Sequence, residues 1–363
     1  MDIEEKLCIK AALKGIPLTA SFELTPLCNL KCSMCYIRHS KKEQMEVQRL
    51  RTVEEWICIA EQLKKMGTLF ILLTGGEPLL YPEFTLLYKE LTAMGFIITI
   101  NTNGTLIDNE IGKLFSEIKP RRVNVTLYGA SYDTYEKVTM HGEGYEKALK
   151  GINILIDNNV QVKLNCSMIE DNKADTDKIL DIADRFNVPI EYNTYMFPCS
   201  KNKNHSFCES VRVSPEEAAT YSVYIKKREK KEKYKDSRNK ALDLYYNEKE
   251  LEKMDRHMKC RAGKSSCWFN WKGEMTPCVF MDNPSVNVME VPVASAWDEI
   301  RHLSLDILMP DKCVSCKHRA YCNICGAVSI WEKSDYLCEY MDKTIEILEE
   351  EIRKESTYEL TEH

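Results

Sequence analysis

The chain has 363 residues, of which 44% are hydrophobic and 29% charged, and a formal net charge of -6. That length supports a sizeable core and about two or three domains, and the acidic balance excludes a general nucleic-acid binder. The N-terminal MDIEEKLCIKAALKGIP lacks the basic flank and apolar core of a targeting signal. No apolar run approaches the roughly 18 residues of a membrane span, so the expected location is the cytoplasm, away from membranes. Sixteen cysteines in such a chain call for metal ligation, because a reducing compartment does not sustain a disulfide framework.

Residues 1–18 read as a lead-in. From 19 to 197, short runs rich in β-branched residues alternate with amphipathic stretches of helical length, the pattern of βα units on a parallel sheet. The predicted strands are TASFELT (19–25), LFILLT (69–74), FIITINT (96–102), RVNVTLY (122–128), VQVKLNCSM (160–168) and PIEYNTYMF (189–197). The intervening TVEEWICIAEQLKKMG, YPEFTLLYKELTAMG, LIDNEIGKLFSEI, GYEKALKGINILIDN and ADTDKILDIADRFN predict helices, several stopping at Gly or Asn. The result is an α/β fold, a partial (β/α)6 TIM barrel whose chemistry sits at the C-terminal ends of the strands. CNLKCSMC, TGGEP, NTNG and LYGAS all fall on that edge.

Residues 198–255 read as a helical linker. Its charge run KKREKKEKYKDSRNK is expected to be a solvated helix face, with a dock for an acidic peptide as the alternative. From 256 to 342 the composition shifts to Cys, Trp and Gly, predicting a small second domain held by metal. Residues 343–363 close the chain as a helix and tail.

Cys28, Cys32 and Cys35 place three thiols in one loop. A four-iron cluster normally takes four thiolates, so three leave one iron open to a substrate. A closed zinc site, with His39 as fourth ligand, is the competing reading. At the second strand's end, Gly75 and Gly76 let the backbone approach a ligand, and Glu77, before Pro78, can accept from an ammonium.

The C-x3-C-x2-C loop followed by GGEP resembles the signature of the radical S-adenosylmethionine (SAM) superfamily. The resemblance implies that Cys28, Cys32 and Cys35 hold a 4Fe-4S cluster whose open iron chelates SAM, with Tyr36 covering it. Met34 stands where the family more often has an aromatic residue. Gly75, Gly76, Glu77 and Pro78 would meet the amino group of SAM, and Asn103, Thr126 and Asn165 its ribose and methionine. The implied chemistry is reductive cleavage of SAM to a 5'-deoxyadenosyl radical, which takes a hydrogen atom from the substrate.

The C-terminal cysteines are similar to the SPASM extension of radical SAM enzymes that act on peptides and proteins. The resemblance implies two auxiliary 4Fe-4S clusters, three clusters in all. Cys260, Cys267, Cys278 and Cys325 would bind one, and Cys313, Cys316, Cys322 and Cys338 the other. Cys322 and Cys325 enclose two residues where the family has three, and a zinc ribbon on CVSC and CNIC is the alternative.

The function so implied is a maturase that installs a thioether or carbon-carbon crosslink in a ribosomally made peptide, with the auxiliary clusters accepting electrons. Its partners would be a precursor peptide or protein and a reductant such as flavodoxin or ferredoxin; 18 residues before the first strand are too few for a recognition domain, so any leader recognition would use the barrel face, the basic helix or a separate leader-recognition protein. One alternative is an anaerobic sulfatase (formylglycine) maturase; such enzymes have Asp where this chain has Val279, with Asp282 displaced. Another is a peptide epimerase using Cys199 or Cys208, which flank His205, as hydrogen donor. Cys166 alternates with Asn165 and should face the helices as an inert thiol. A non-enzymatic Fe-S or zinc-stapled protein would instead need a closed first site.

Overall fold

All six predicted strands form, each shorter than its apolar run: β1 Thr19–Glu23, β2 Phe70–Thr74, β3 Ile97–Thr102, β4 Arg122–Thr126, β5 Val162–Ser167 and β6 Ile190–Asn193. The computed structural model describes residues 3–197, 211–247, 257, 260–322, 326–332 and 334–361. The six strands pair in chain order and in parallel, as a partial TIM barrel requires. Three further strands, β7 Ser266–Phe269, β8 Glu274–Thr276 and β9 Val286–Asn287, extend the same sheet beyond β1, giving the order β6-β5-β4-β3-β2-β1-β7-β8-β9. The expected start of a second domain at 256 is therefore not a break in the sheet. β7 lies parallel to β1, and the hairpin to β8 turns back antiparallel.

The five expected helices form between the strands, and their ends show why. Val53–Met66 begins at Thr52, whose side chain accepts from Glu55 N while Glu55 reaches back to Thr52 N, and it ends at Gly67 with φ 95°. Ser131 and Asp108 cap Tyr132–Thr139 and Asn109–Glu117, their side chains accepting from Thr134 N and Ile111 N. Among the helices that were not expected are Ile3–Lys14 inside the lead-in, Tyr132–Thr139 and Val293–Leu305. The last buries Trp297, whose Nε1 donates to Gly15 O at 2.7 Å. The charge run lies on helices Pro215–Lys230 and Tyr234–Tyr246. Most of it faces solvent, but Arg238 turns inward to Glu355, 2.8 Å away, on the closing helix Tyr336–Thr361.

Alternation along the strands separates two faces. Phe22, Ile71, Ile100, Val125 and Leu164 point toward the helices, where Phe22 stacks on Trp56 at 4.8 Å. Cys166 shares this face and is fully buried, as its alternation predicts. The opposite, inner face is polar: Asn124 donates to Asn101 at 2.7 Å, Arg122 to Asn124 at 2.8 Å, and Trp268 Nε1 to Glu23 at 3.0 Å. A barrel so lined offers hydrogen-bond partners to a polar ligand.

The C-terminal segment is latched to the end of β6. Arg212 and Glu332 pair at 2.9 Å with side chains only 3% and 6% exposed, and Tyr195 OH donates to the same Glu332 oxygen. Among the described residues no helix is long and apolar enough to cross a membrane.

Candidate active site

The cysteine loop leaves β1 at Glu23 and is held from two sides. On one, Gly76 N donates to Thr25 O at 2.7 Å and Glu77 N to Leu27 O at 2.8 Å. A Cβ on Gly75 would lie 2.5 Å from Thr25 O, and one on Gly76 2.3 Å from Leu27 O. The glycines, expected to make room for a ligand, thus make room for the protein's own cysteine loop. On the other side, Lys31 N and Ser33 N donate to Thr139 O and Val138 O at the end of Tyr132–Thr139, each at 2.9 Å.

Two thiols of the loop accept hydrogen bonds: Cys28 Sγ takes Leu30 N at 3.4 Å and Asn103 Nδ2 at 3.7 Å, and Cys35 Sγ takes Arg38 N at 3.3 Å. Cys32 packs with Tyr128 beside Met34, Val138 and Ile169. Burial pushes the Cys28 thiol up to about 12 and the other two up as well, and neighbouring thiolates add to the rise at Cys28 and Cys32. Three such sulfurs, costly to ionise together, suit a cationic centre that supplies the missing positive charge. Among the described residues no three His, Cys, Asp or Glu side chains are placed to hold a single ion. His39, the expected fourth zinc ligand, has Nδ1 2.7 Å from Ile37 O and its ring edge against Trp271.

The remaining expected site residues sort into two groups. Thr126 and Asn165 face each other across β4 and β5, and Asn165 Oδ1 is buried without a partner. An orphaned acceptor at the mouth of a polar barrel fits a ligand that brings a hydroxyl or amino donor. Asn103 and Glu77, by contrast, are engaged within the protein. Asn103 links Cys28 to Asn29, 2.9 Å away, and Thr105 N donates to its Oδ1. Glu77 is fully buried; its carboxylate accepts from Thr102 Oγ1 and Asn103 N, both at 2.8 Å, and from Leu79 N at 3.2 Å. Burial raises its carboxyl to about 7. Three protein donors already bind its oxygens, which leaves about one acceptor site for the expected ammonium. Pro78 is buried at the start of the one-turn helix Pro78–Leu80 that continues this turn.

Tyr36 lies 6.4 Å, ring to ring, from Phe280 and lines a cavity of about 480 Å³ shared with Glu23, Trp271, Lys272, Glu274 and Asp282. Sequence reasoning missed Asn29, Tyr128, Asn172 and Asp175. Asn172 donates to Tyr128 O and Ser167 O, and Asp175 accepts from Ala130 N at 2.8 Å, so both fix the ends of β4 and β5. Their only signal was a polar cluster after a strand, which reads equally as a loop.

The described C-terminal cysteines lie in separate places. Cys260 and Cys278 pack around Met281 and Ala327. Cys313 and Cys338 are raised by burial and by the charge of Cys316, which places those three thiols within mutual electrostatic reach; Cys322 N donates to His318 O nearby. Cys267 is the exception. It sits on β7 opposite Ala20, is 2% exposed, and joins the helix-side core with Phe22 and Phe269, its thiol raised by burial alone. The strand's alternation turns it into the hydrocarbon core, so its expected role as a cluster ligand is not supported. Cys325, Cys199 and Cys208 lie outside the described residues.

A parallel six-stranded partial barrel with a three-thiol loop after β1 defines a class, and residues 22–183 match the Radical SAM superfamily: the chain carries a radical SAM domain. Over 344 residues, covering 90% of this chain and 96% of the relative, it is 23% identical to the AdoMet-dependent heme synthase of Methanosarcina barkeri. Over 162 residues, 44% of this chain and 48% of the relative, it is 33% identical to a GTP 3',8-cyclase of Clostridium perfringens. Among solved structures, Streptococcus suis SuiB bound to its precursor peptide SuiA shares the fold at TM-score 0.66 and 15% identity, over 91% of this chain and 77% of that one. The anSMEcpe structure with bound AdoMet does so at 0.68 and 16%, over 94% and 96%.

Proposed function

We propose that the protein is a radical SAM oxidoreductase that modifies a ribosomally made peptide, installing a thioether or carbon-carbon crosslink. The observation that carries the radical SAM reading is the loop of three buried thiols after β1, in a barrel whose β5 also offers the orphaned Asn165 Oδ1. When bound, a 4Fe-4S cluster with one open iron would supply the electron that cleaves SAM. Cys28, Cys32 and Cys35 would hold it. Thr126 and Asn165 would accept from and orient the nucleoside, the helices and core behind the sheet would exclude water, and Tyr36 would wall the cavity beside the cluster loop.

For the substrate, the cavity shared by Tyr36, Lys272, Glu274 and Asp282 offers both signs of charge and an aromatic wall, which suits a peptide segment better than a purely apolar group. The shared fold with SuiB and anSMEcpe supports the same substrate class. The proposed partners are accordingly a precursor peptide or protein and a one-electron reductant. A second reading, an enzyme of heme formation, is favoured by the alignment along 96% of the Methanosarcina barkeri heme synthase.

The test is anaerobic reconstitution with iron counting and detection of 5'-deoxyadenosine, on the wild type and on Cys28→Ala/Cys32→Ala/Cys35→Ala. Loss of about four irons and of all SAM cleavage in the variant is expected. Retained cleavage would sink the radical SAM site. Deoxyadenosine yield rising with peptides encoded beside the gene supports the first reading; a rise only with an iron porphyrin gives the second.

A further inference from the structure

The Asn103 carboxamide has every hydrogen-bonding position taken inside the protein. Its Oδ1 accepts from Thr105 N at 2.9 Å and from Thr105 Oγ1 at 2.6 Å. Its Nδ2 donates to Asn29 Oδ1 at 2.9 Å and, at the longer reach of a sulfur acceptor, to Cys28 Sγ at 3.7 Å. A carboxamide has two N–H groups and an oxygen with two lone pairs, so nothing is left over for a further ligand. The residue is also buried, at 4% exposure.

A backbone donor fixes which way this group points. Thr105 N can only donate, so the Asn103 oxygen must face it and the nitrogen must face Cys28. Gly104, with φ 77°, turns the chain just past β3 and lets Thr105 N reach back to the Asn103 side chain. A further bond closes a circuit: Asn29 Nδ2 donates to Thr105 Oγ1 at 2.7 Å. Asn103 thus donates to Asn29, Asn29 to Thr105 and Thr105 to Asn103, a ring in which each bond polarises the next. Asn29 belongs to the cysteine loop and its two partners to the end of β3, so the ring also ties that loop to the sheet.

Hydrogen bonds to cluster sulfurs stabilise the more negative, reduced state and so raise the reduction potential. We propose that Asn29 and Thr105 are positioning residues that aim the Asn103 carboxamide at the Cys28 sulfur, and that Asn103 therefore raises the potential of the cluster held there and does not contact SAM. This rests on the reading of Cys28, Cys32 and Cys35 as cluster ligands.

The experiment is a redox titration followed by electron paramagnetic resonance, watching the signal that changes when SAM is added, with SAM affinity measured in parallel by equilibrium dialysis. It compares reconstituted wild type with Asn103→Leu, Thr105→Val and Thr105→Ser. The midpoint should shift to more negative values in Asn103→Leu, with SAM affinity kept. Thr105→Val leaves Asn103 in place but removes the hydroxyl that takes part in two bonds of the ring; it should shift the midpoint the same way by less, and Thr105→Ser should restore it. Weakened SAM binding with an unmoved midpoint, in Asn103→Leu or Thr105→Val, would make Asn103 a SAM contact and overturn the proposal. Equal midpoints in Thr105→Val and Thr105→Ser would overturn it as well, because serine keeps the hydroxyl. If Asn103→Leu does not take up iron, the threonine pair decides, and an unshifted Thr105→Val is then the overturning result. Wild type that binds no iron through these cysteines would fail the cluster reading instead, which iron counting detects separately.

Discussion

The two groups of cysteines in this chain are built on opposite principles. Cys28, Cys32 and Cys35 lie on one loop between one strand and one short helix; the loop's own Leu30 N and Arg38 N bond two of the sulfurs, and Asn103 at the end of β3 adds a third donor. The C-terminal cysteines are scattered over a strand, a hairpin end, short turns and the start of a long helix, and they come together only when those elements pack. A site built on a local loop can be read from spacing, whereas a site assembled by tertiary packing can be read only as a count. Cys267 shows the difference: the count included it, and strand alternation placed it in the core.

Four expected outcomes sharpen or break that contrast. Glu332→Ala should be the most damaging, because it leaves Arg212 buried with its ion pair broken, at a cost of about 3–5 kcal/mol. Urea unfolding would show it; a loss confined to a few tenths would mean that the C-terminal segment is not latched through this pair. Glu77 acts on the first site. Its folded carboxyl, raised to about 7 from 4.5, favours the folded state below the lower value and loses that contribution as pH rises through the higher one. The loss is about 3 kcal/mol. Wild type should therefore lose more stability than Glu77→Gln between pH 5 and pH 8, and equal slopes would show that hydrogen bonds have cancelled the burial effect.

Gly76→Ala should cost about 2 kcal/mol through overpacking against Leu27 O and should lower SAM cleavage further by displacing the cysteine loop. Unchanged melting and cleavage would mean that the two loops are not as closely clamped as described. The smallest effect is expected for Cys267→Ala: about 1 kcal/mol from a lost core contact, with iron content unchanged. Loss of about four irons in that variant would restore Cys267 to the ligand set.

The barrel was largely legible because its signals are local. Each strand is a short β-branched run, and Thr52, Gly67 and Asp108 announce helix ends within a few residues. The pairing of β7 with β1 left no such trace, since parallel neighbours distant in sequence share no turn. Ser266–Phe269 is too short and too uniformly apolar to show its register, so a continuation of the sheet read as a separate domain. At the site, residue types and spacing pointed to Cys28, Cys32 and Cys35, and the family resemblance to Thr126 and Asn165. They did not reveal that Asn103 and Glu77 would be occupied with the cysteine loop and with each other, because such engagement depends on the approach of β2 and β3 and not on either segment alone.

The position of β7 has a consequence for how the chain comes off the ribosome. Thr19 faces Phe70 on one side and Ser266 on the other, so the first strand made keeps one row of backbone donors and acceptors unpaired until most of the chain has been synthesised. An open edge of this kind is a template for other strands, and contacts so distant in sequence form slowly. A version shortened before residue 266 would carry that open edge permanently, and self-association along β1 is its expected fate.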